Sequence, residues 1–453
     1  MAYGKTIGVN RTGYTIHAAF LDNPRSTLPV SGMPGNHLNM KLAIYIRTIA
    51  SAQGTERVTA NIAKGLAGRG HEVDFLVEDS RGWLLEELAG TANIRVIDLA
   101  GQRVPVVLHR LFQLRIILGN LIAAPRGLPG TGNTGTRRLL KVMAHNNAPV
   151  LALRRYINSE QPATVLSFLN YPNFVLLLVA PYTHGDTRFM VNVRNHITTS
   201  ARYGKSKWMR SVPKLIRRFF PRADCVVGPS QGVVDDVRAI TDLPAERFRV
   251  IVNPVYRPEI TELSMDPPGH PWFADSEQPV IVAAGKLKQQ KDYPTLLQAF
   301  AQVREQRPVR LIILGRGALR EALMARAEVL GIAADLDMPG HVKNPYAFFR
   351  NAAVFVLSSA WEGLPNVLIE AMACGCPVVS TDCPSGPVEI LDGGRIGRLV
   401  PVGDAGAMAG AILATLATPP DREPIIARAR EFSFERVVAD YEALLTSRSC
   451  RPD

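Results

Sequence analysis

The chain has 453 residues, 47% of them hydrophobic and 20% charged, with a formal net charge of +12. A chain of this length builds two or three domains with ample core, and its hydrophobic content excludes a disordered polymer. Its five cysteines lack the paired spacing of a zinc module, and an odd count fits a reducing compartment better than a secreted disulfide scaffold.

Residues 1–39 are rich in Gly, Pro, Asn and Thr without periodicity and read as a loose extension. They lack an apolar stretch followed by a small-residue cleavage site, so no secretory signal is expected. Met33 and Met40 are alternative starts that N-terminal sequencing of native protein would separate. From 40 to 255, short apolar strands alternate with helical patterns, the signature of a layered α/β unit with a mostly parallel sheet. Within it, residues 101–222 hold 19 Lys or Arg against two acids, Glu160 and Asp186, a charge of +17 that leaves −5 for the rest.

Such a one-sided basic field implies an anionic partner. Residues 106–121, with Arg110 and Arg115, are one place to meet it. Residues 207–220 are another, with Trp208, Val212, Leu215, Ile216 and Phe219 at helical spacing and bases opposite. That helix either docks on the core with a solvated basic face or attaches to an anionic membrane leaflet, each base contributing about 1 kcal/mol. No RNA-binding aromatic motif or zinc finger supports nucleic acid as the partner. The glycine-rich stretch 127–135 lacks Gly-Lys-Ser/Thr, so a Walker phosphate loop is not expected there. No apolar run reaches the roughly 18 residues needed to span a bilayer, and the run 174–180 suits a core element. Residues 256–272, punctuated by Pro258, Pro267, Pro268 and Pro271, read as a connection opening a second α/β unit that runs to 432. Residues 433–453 read as a last helix and tail.

The run Trp361-Glu362-Gly363-Leu364-Pro365-Asn366, continuing to Glu370 and Cys374, says most about chemistry. Two carboxylates flank a turn between an apolar strand and a helix. Open α/β sheets bind ligands where strands hand over to helices, with anions at the helix N-terminus. One acid there can bond sugar hydroxyls and the other a ribose diol, while backbone N–H groups meet a phosphate. A bare pair of glutamates at this spacing is more often a surface acid and an ordinary helix residue; the surrounding residues reverse that.

The whole run closely resembles the Glu-x7-Glu signature of retaining nucleotide-sugar glycosyltransferases of family 4, which have the GT-B fold. Other stretches resemble that family in order: the strand 40–46, the loop with Gln53 and Gly54, the helix 58–68, the block 224–230 through Asn253-Pro254-Val255, the element Gly285-Lys286-Leu287-Lys288-Gln289-Gln290-Lys291, the strand 311–317, and Pro384-Ser385-Gly386-Pro387-Val388-Glu389. The resemblance covers about 40–445. It implies two Rossmann-like domains facing a central cleft: 40–255 for the acceptor and 256–432 for the nucleotide-sugar, with the last helix packing back on the first domain.

The resemblance also implies roles. Lys286 and Lys291 would hold the diphosphate, assisted by the backbone from Gly363 through Leu364 and Pro365 to Asn366. Glu362 would contact donor sugar hydroxyls, and Glu370 the ribose. Gly54 lies where the family has a glycine-rich loop over the phosphates, although Gln53 replaces the frequent second glycine. Glu362, Lys291 and His196 form the expected catalytic set, with Arg194 and Asn195 on the acceptor side; a structural role for His196 stays open. Lys286 departs from the family's usual Arg and supplies a point charge without the bidentate fork.

Breaking a sugar–phosphate bond creates an oxocarbenium-like centre and a diphosphate leaving group, which fixed cations and N–H dipoles stabilise. No Asp-x-Asp element stands in a suitable turn, so neither a metal nor another cofactor is expected. No carboxylate stands out as nucleophile, so retention by same-face, ion-pair-like substitution fits best. The expected activity is a hexosyltransferase using UDP-sugars in surface polysaccharide synthesis. It would work in the cytoplasm, peripherally on the inner membrane face, on a glycan or lipid-linked acceptor. A nucleotide-sugar epimerase, a phosphorylase and a non-catalytic nucleotide-sugar-binding protein remain alternatives.

Overall fold

The computed structural model describes residues 39–51, 54–102, 105–122, 149–204, 206–274 and 278–447. Residues 1–38, Gln53, the glycine-rich stretch 127–135 and the tail from 448 lie outside them.

Strands and helices alternate along the chain, and the strands sort into two sheets. The first is built from β1 (Lys41–Tyr45), β2 (Glu72–Val77), β3 (Ile94–Asp98), β4 (Thr164–Phe168), β5 (Arg188–Asn192), β6 (Cys225–Gly228) and β7 (Phe248–Val250), in the order β3-β2-β1-β4-β5-β6-β7. The second is built from β8 (Val280–Ala284), β9 (Arg310–Leu314), β10 (Leu336–Gly340), β11 (Val354–Leu357), β12 (Val378–Thr381) and β13 (Arg398–Val400), in the order β10-β9-β8-β11-β12-β13. The strands pair in parallel throughout. Parallel strands need crossover helices, which cover both faces, so these strands read as apolar runs rather than alternating ones. Leu42, Ala43, Ile44 and Tyr45 of β1, and Ile281, Val282 and Ala283 of β8, are all buried.

Each sheet reverses its strand order between the first strand and its later neighbour: β1 against β4, and β8 against β11. Ligands of such sheets bind outside the carboxyl ends at this switch point. The loop after β1 leads to Gly54, the loop after β8 carries Lys286 and Lys291, and the loop after β11 carries Glu362. The architecture is the GT-B pair of Rossmann-like domains.

The last helix, Phe434–Thr446, packs back on the first sheet, as expected. Val437, Val438, Tyr441, Leu444 and Leu445 share a buried cluster with Leu42, Ile44, Ala63 and Leu66. Its Glu442 pairs with Arg69 and lies 3.3 Å from His71 Nε2, and the Arg188 guanidinium donates to the Leu445 carbonyl (3.0 Å).

Of the two readings of 207–220, the core-docked one holds. A 3₁₀ turn, Met209–Ser211, leads into the helix Val212–Phe219, whose Val212, Leu215, Ile216 and Phe219 are buried in the core of the first sheet. Trp208 packs edge-on against Phe174 with ring centroids 5.9 Å apart. That apolar face is therefore occupied by protein. Among the described residues no helix is long and apolar enough to cross a membrane.

The helix Thr55–Gly68 approaches the last helix so closely that a Cβ on Gly65 would lie 2.2 Å from Val438 Cγ2. Gly65→Leu is expected to lower unfolding stability by about 1–3 kcal/mol through overpacking, measured as a reduced urea midpoint at unchanged m-value.

Candidate active site

β8 ends at Ala284, and Gly285 after it, with a φ of +150°, leads the chain into the loop that carries the lysines. The Lys291 stem lies across this glycine, and a Cβ there would come 2.8 Å from Lys291 Cε. A 3₁₀ turn, Gln289–Lys291, then sends the chain into the helix Tyr293–Gln306.

Lys291 is brought to Glu362 because β8 and β11 are neighbours in the sheet. Its ammonium lies 2.7 Å from Glu362 Oε1, and the two side chains are 12% and 10% exposed. Ser359 Oγ donates to the same oxygen (2.7 Å), and Gln290 Nε2 donates to Oε2 (3.2 Å) and to the Trp361 carbonyl (2.8 Å). Glu362 is thus less open than a sugar-binding acid was expected to be: its carboxylate anchors the lysine.

Lys286 and Lys288 stand beside this pair. Partial burial pulls the Lys288 ammonium below the ordinary lysine range; Glu362 opposes this, and the charges of Lys291 and Lys286 reinforce it. The loop therefore concentrates positive charge beside one buried carboxylate.

Glu370 behaves differently. It sits on the helix Asn366–Ala373, whose N-terminal turn lacks a side-chain cap. Burial raises its pKa, against the opposing charges of Arg57, Arg257 and Lys291. Among the described residues no hydrogen bond reaches the Glu370 carboxylate. Arg57 lies in the first turn of the helix that Gly54 begins, so the loop after β1 faces Glu370 electrostatically. Leu364 and Pro365 are buried, with Leu364 in the core of the second sheet. The Leu364 side chain is taken up by that core, and Pro365 has no N–H to offer.

The end of β5 meets this loop directly. The His196 backbone N–H donates to the Glu362 carbonyl (3.2 Å). A Cβ on Gly363 would lie 2.2 Å from the Arg194 carbonyl oxygen, so only glycine allows this backbone contact. Ser230 and Ser385 both donate to the Gly363 carbonyl (2.8 and 3.1 Å). Glu389 accepts from the backbone N–H groups of Gln231 (2.7 Å) and Gly232 (3.1 Å), capping a helix of the first unit from the second. Tyr203 stacks on Trp361 at 5.2 Å.

Arg194 is a correction. Its Nε and Nη1 are sealed from solvent, and the guanidinium bonds Asn253, which in turn bonds Asn366. Burial lowers its pKa, with the Tyr441 hydroxyl opposing. A guanidinium so committed ties the end of β5 to the last helix and to the Glu370 helix; it is not open to an acceptor. Asn195 is exposed. His196 Nδ1 faces Thr199 N (3.5 Å) and Oγ1 (3.0 Å), capping the helix Ile197–Tyr203. The structural reading of His196 describes Nδ1; among the described residues no hydrogen bond reaches Nε2.

Several contributors escaped the sequence reading. Asp236 accepts from the Ile197 and Thr198 N–H groups (2.5 and 3.1 Å) and holds the His196 turn. Arg57, Arg257 and Lys288 set the electrostatics. Glu78, at the end of β2, bonds Tyr45, and burial pushes it up to about 7 against Tyr45 and Arg47. Among the described residues no three His, Cys, Asp or Glu side chains converge to hold a metal ion.

Comparison with known proteins bears on the family and the fold. Residues 278–418 match the family described as glycosyl transferases group 1, and residues 53–254 match the glycosyl transferase 4-like domain. The chain is 28% identical over 246 residues to the N-acetylgalactosamine-N,N'-diacetylbacillosaminyl-diphospho-undecaprenol 4-alpha-N-acetylgalactosaminyltransferase of Campylobacter jejuni, covering 54% of this chain and 64% of that protein. It is 31% identical over 239 residues to the lipopolysaccharide core biosynthesis glycosyltransferase LpsE of Rhizobium meliloti, covering 51% and 66%. It therefore spans less than two thirds of either relative's length. The structure of Anabaena HepE in complex with UDP and glucose superposes with a TM-score of 0.66 at 16% identity, covering 90% of this chain and 100% of that one.

Removing one member of a buried ion pair strands the other, at about 3–5 kcal/mol. Lys291→Met is expected to lose that much stability, and Lys291→Met/Glu362→Gln to recover part of it. Chemical denaturation of the two variants against wild type checks this.

Proposed function

Because the chain belongs to the family 4 glycosyltransferases of GT-B fold, we propose that it moves a sugar from a nucleotide-sugar to a glycan or lipid-linked acceptor, with retention, in surface polysaccharide synthesis. The observation that carries this reading is the Lys291–Glu362 pair at the β8/β11 switch point, with Lys286 and Lys288 beside it.

The leaving diphosphate gains negative charge as the glycosidic bond breaks. Lys291, fixed by Glu362, and the flanking lysines supply a preorganised positive field, and the uncapped N-terminus of the Asn366–Ala373 helix adds N–H dipoles. No metal is needed to neutralise the leaving group. Glu370 suits a ribose diol, since two hydroxyl donors would satisfy a carboxylate that no hydrogen bond reaches among the described residues. A cavity of about 350 Å³ lined by Gly315, Arg316, Gly317, Arg320, Met338 and Gly340, at the ends of β9 and β10, offers room for the base. UDP is the favoured nucleotide, supported by the UDP bound in the HepE structure.

Retention is favoured because Glu362 is tied to Lys291 and so is poorly disposed to attack the anomeric carbon. A same-face substitution then has the departing phosphate oxygen take the acceptor proton. With Nδ1 of His196 held among the Thr199 turn and the Asp236 carboxylate (3.5 Å), Nε2 is the ring nitrogen that would meet a sugar oxygen. Asn195 and Glu78 offer polar groups on the acceptor side. The name of the Campylobacter jejuni relative supports a diphospho-undecaprenol-linked acceptor, which would place the reaction in the cytoplasm, at the inner membrane face.

Saturating UDP, at about 100 times its dissociation constant, is expected to stabilise the protein by about 2.7 kcal/mol. The thermal midpoint should rise equally with magnesium and with EDTA, and little with GDP, ADP or CMP. Glu370→Gln should abolish the shift without lowering the unliganded midpoint at neutral pH. A carboxylate whose pKa is raised in the fold costs stability above its unfolded pKa, so the neutral amide relieves that cost. No shift with any nucleotide would refute the donor site.

A further inference from the structure

The helix Val106–Ile122 carries apolar residues on two sides. Phe112 and Ile116 are buried; Phe112 packs edge-on against Tyr182 (5.6 Å), with the Arg154 guanidinium over its ring (5.3 Å). Val107, Leu108, Leu111 and Leu114 do not join that core and are 69%, 49%, 56% and 49% exposed. Positions 107, 111 and 114 stand at i, i+4 and i+7, with 108 alongside, so they form one stripe. Single exposed aliphatics are ordinary, but a stripe of neighbouring ones marks a surface that meets something apolar.

The surroundings say what. Arg110 and Arg115 are exposed on the same helix. Arg115 lies over the Tyr182 ring (5.6 Å), Arg154 donates to the Tyr182 carbonyl (2.6 Å), and Arg222 and Arg218 continue the belt over Phe219 (5.1 and 5.7 Å). The sequence has no Asp or Glu between residues 101 and 159. A two-fold contact between copies through this face would bring the arginines of one against those of the other. A surface with apolar depth and negative headgroups suits both parts.

We propose that the stripe of Val107, Leu108, Leu111 and Leu114 docks on an anionic lipid surface, the leucines entering the boundary between headgroups and acyl chains and Arg110 and Arg115 meeting lipid phosphates. This differs from attachment through the Val212–Phe219 helix, whose apolar face is filled by the core. It does not rest on the transfer reaction and holds or fails apart from it.

The test is co-sedimentation of the full chain with vesicles of phosphatidylcholine alone or mixed with phosphatidylglycerol. Wild type is expected to pellet with the anionic vesicles only, and less as salt rises. Leu111→Ser/Leu114→Ser should weaken partitioning at least tenfold with a wild-type melting midpoint, since both side chains are exposed, and Arg110→Gln/Arg115→Gln should weaken it by about thirtyfold. Failure of wild type to pellet with anionic vesicles would overturn the proposal, as would undiminished pelleting of the leucine variant. A wild-type dimer by analytical ultracentrifugation that becomes monomeric in the leucine variant, with lipid binding unchanged, would assign the stripe to self-association instead.

Discussion

Lys291 crosses the backbone of Gly285 and ends with its ammonium 2.7 Å from the Glu362 carboxylate, both side chains largely out of water. A buried ammonium without that partner would be costly, and a buried carboxylate equally so. The pair is therefore fixed in place, and its fixing positions two loops at once. Lys286 and Lys288 are carried on the same turn as Lys291. Gly363 and the start of the Glu370 helix follow directly from Glu362. Ser359 and Gln290 complete the hydrogen bonding of the carboxylate, so the network has few alternative arrangements.

The same loop is where the two sheets meet. Its backbone, from Glu362 to Gly363, bonds His196, Ser230 and Ser385, and Gly363 lies against the Arg194 carbonyl. A second line of contacts runs from Tyr441 on the last helix, through Asn192 and Arg194, to Asn253 and Asn366. The last helix thus does more than cover apolar surface. It holds the end of β5 in register with the helix that bears Glu370, which couples fold stability to the geometry of the site.

Much of this was legible in the sequence. Long apolar runs alternating with helical patterns give parallel sheets, because such strands are covered on both faces. The turn at Gly363-Leu364-Pro365 marks a strand-to-helix handover without reference to any partner. What escaped was non-local. That Glu362 pairs with Lys291 depends on β8 and β11 becoming neighbours across intervening strands. That Arg194 is an internal tie depends on Tyr441 and Asn253, both distant in the chain. Asp236 looks like any helix aspartate until its helix is packed beside the turn at His196. The amphipathic pattern at 207–220 has an apolar face that a core and a membrane satisfy equally, and only packing showed that the core takes it. The helix Val106–Ile122 is apolar nearly all round, which hid from periodicity the stripe that burial leaves exposed.

The most direct measurement follows the anomeric carbon. Full-length protein is incubated with UDP-hexoses and UDP-N-acetylhexosamines carrying a label at that carbon, together with lipid-linked glycan acceptors, and products are read by NMR. The account predicts that the label appears in a glycoside on the acceptor with the donor's anomeric configuration, and that Lys291→Ala abolishes this. A label found in an epimerised nucleotide-sugar, in a sugar phosphate, or in a glycoside of inverted configuration would contradict it.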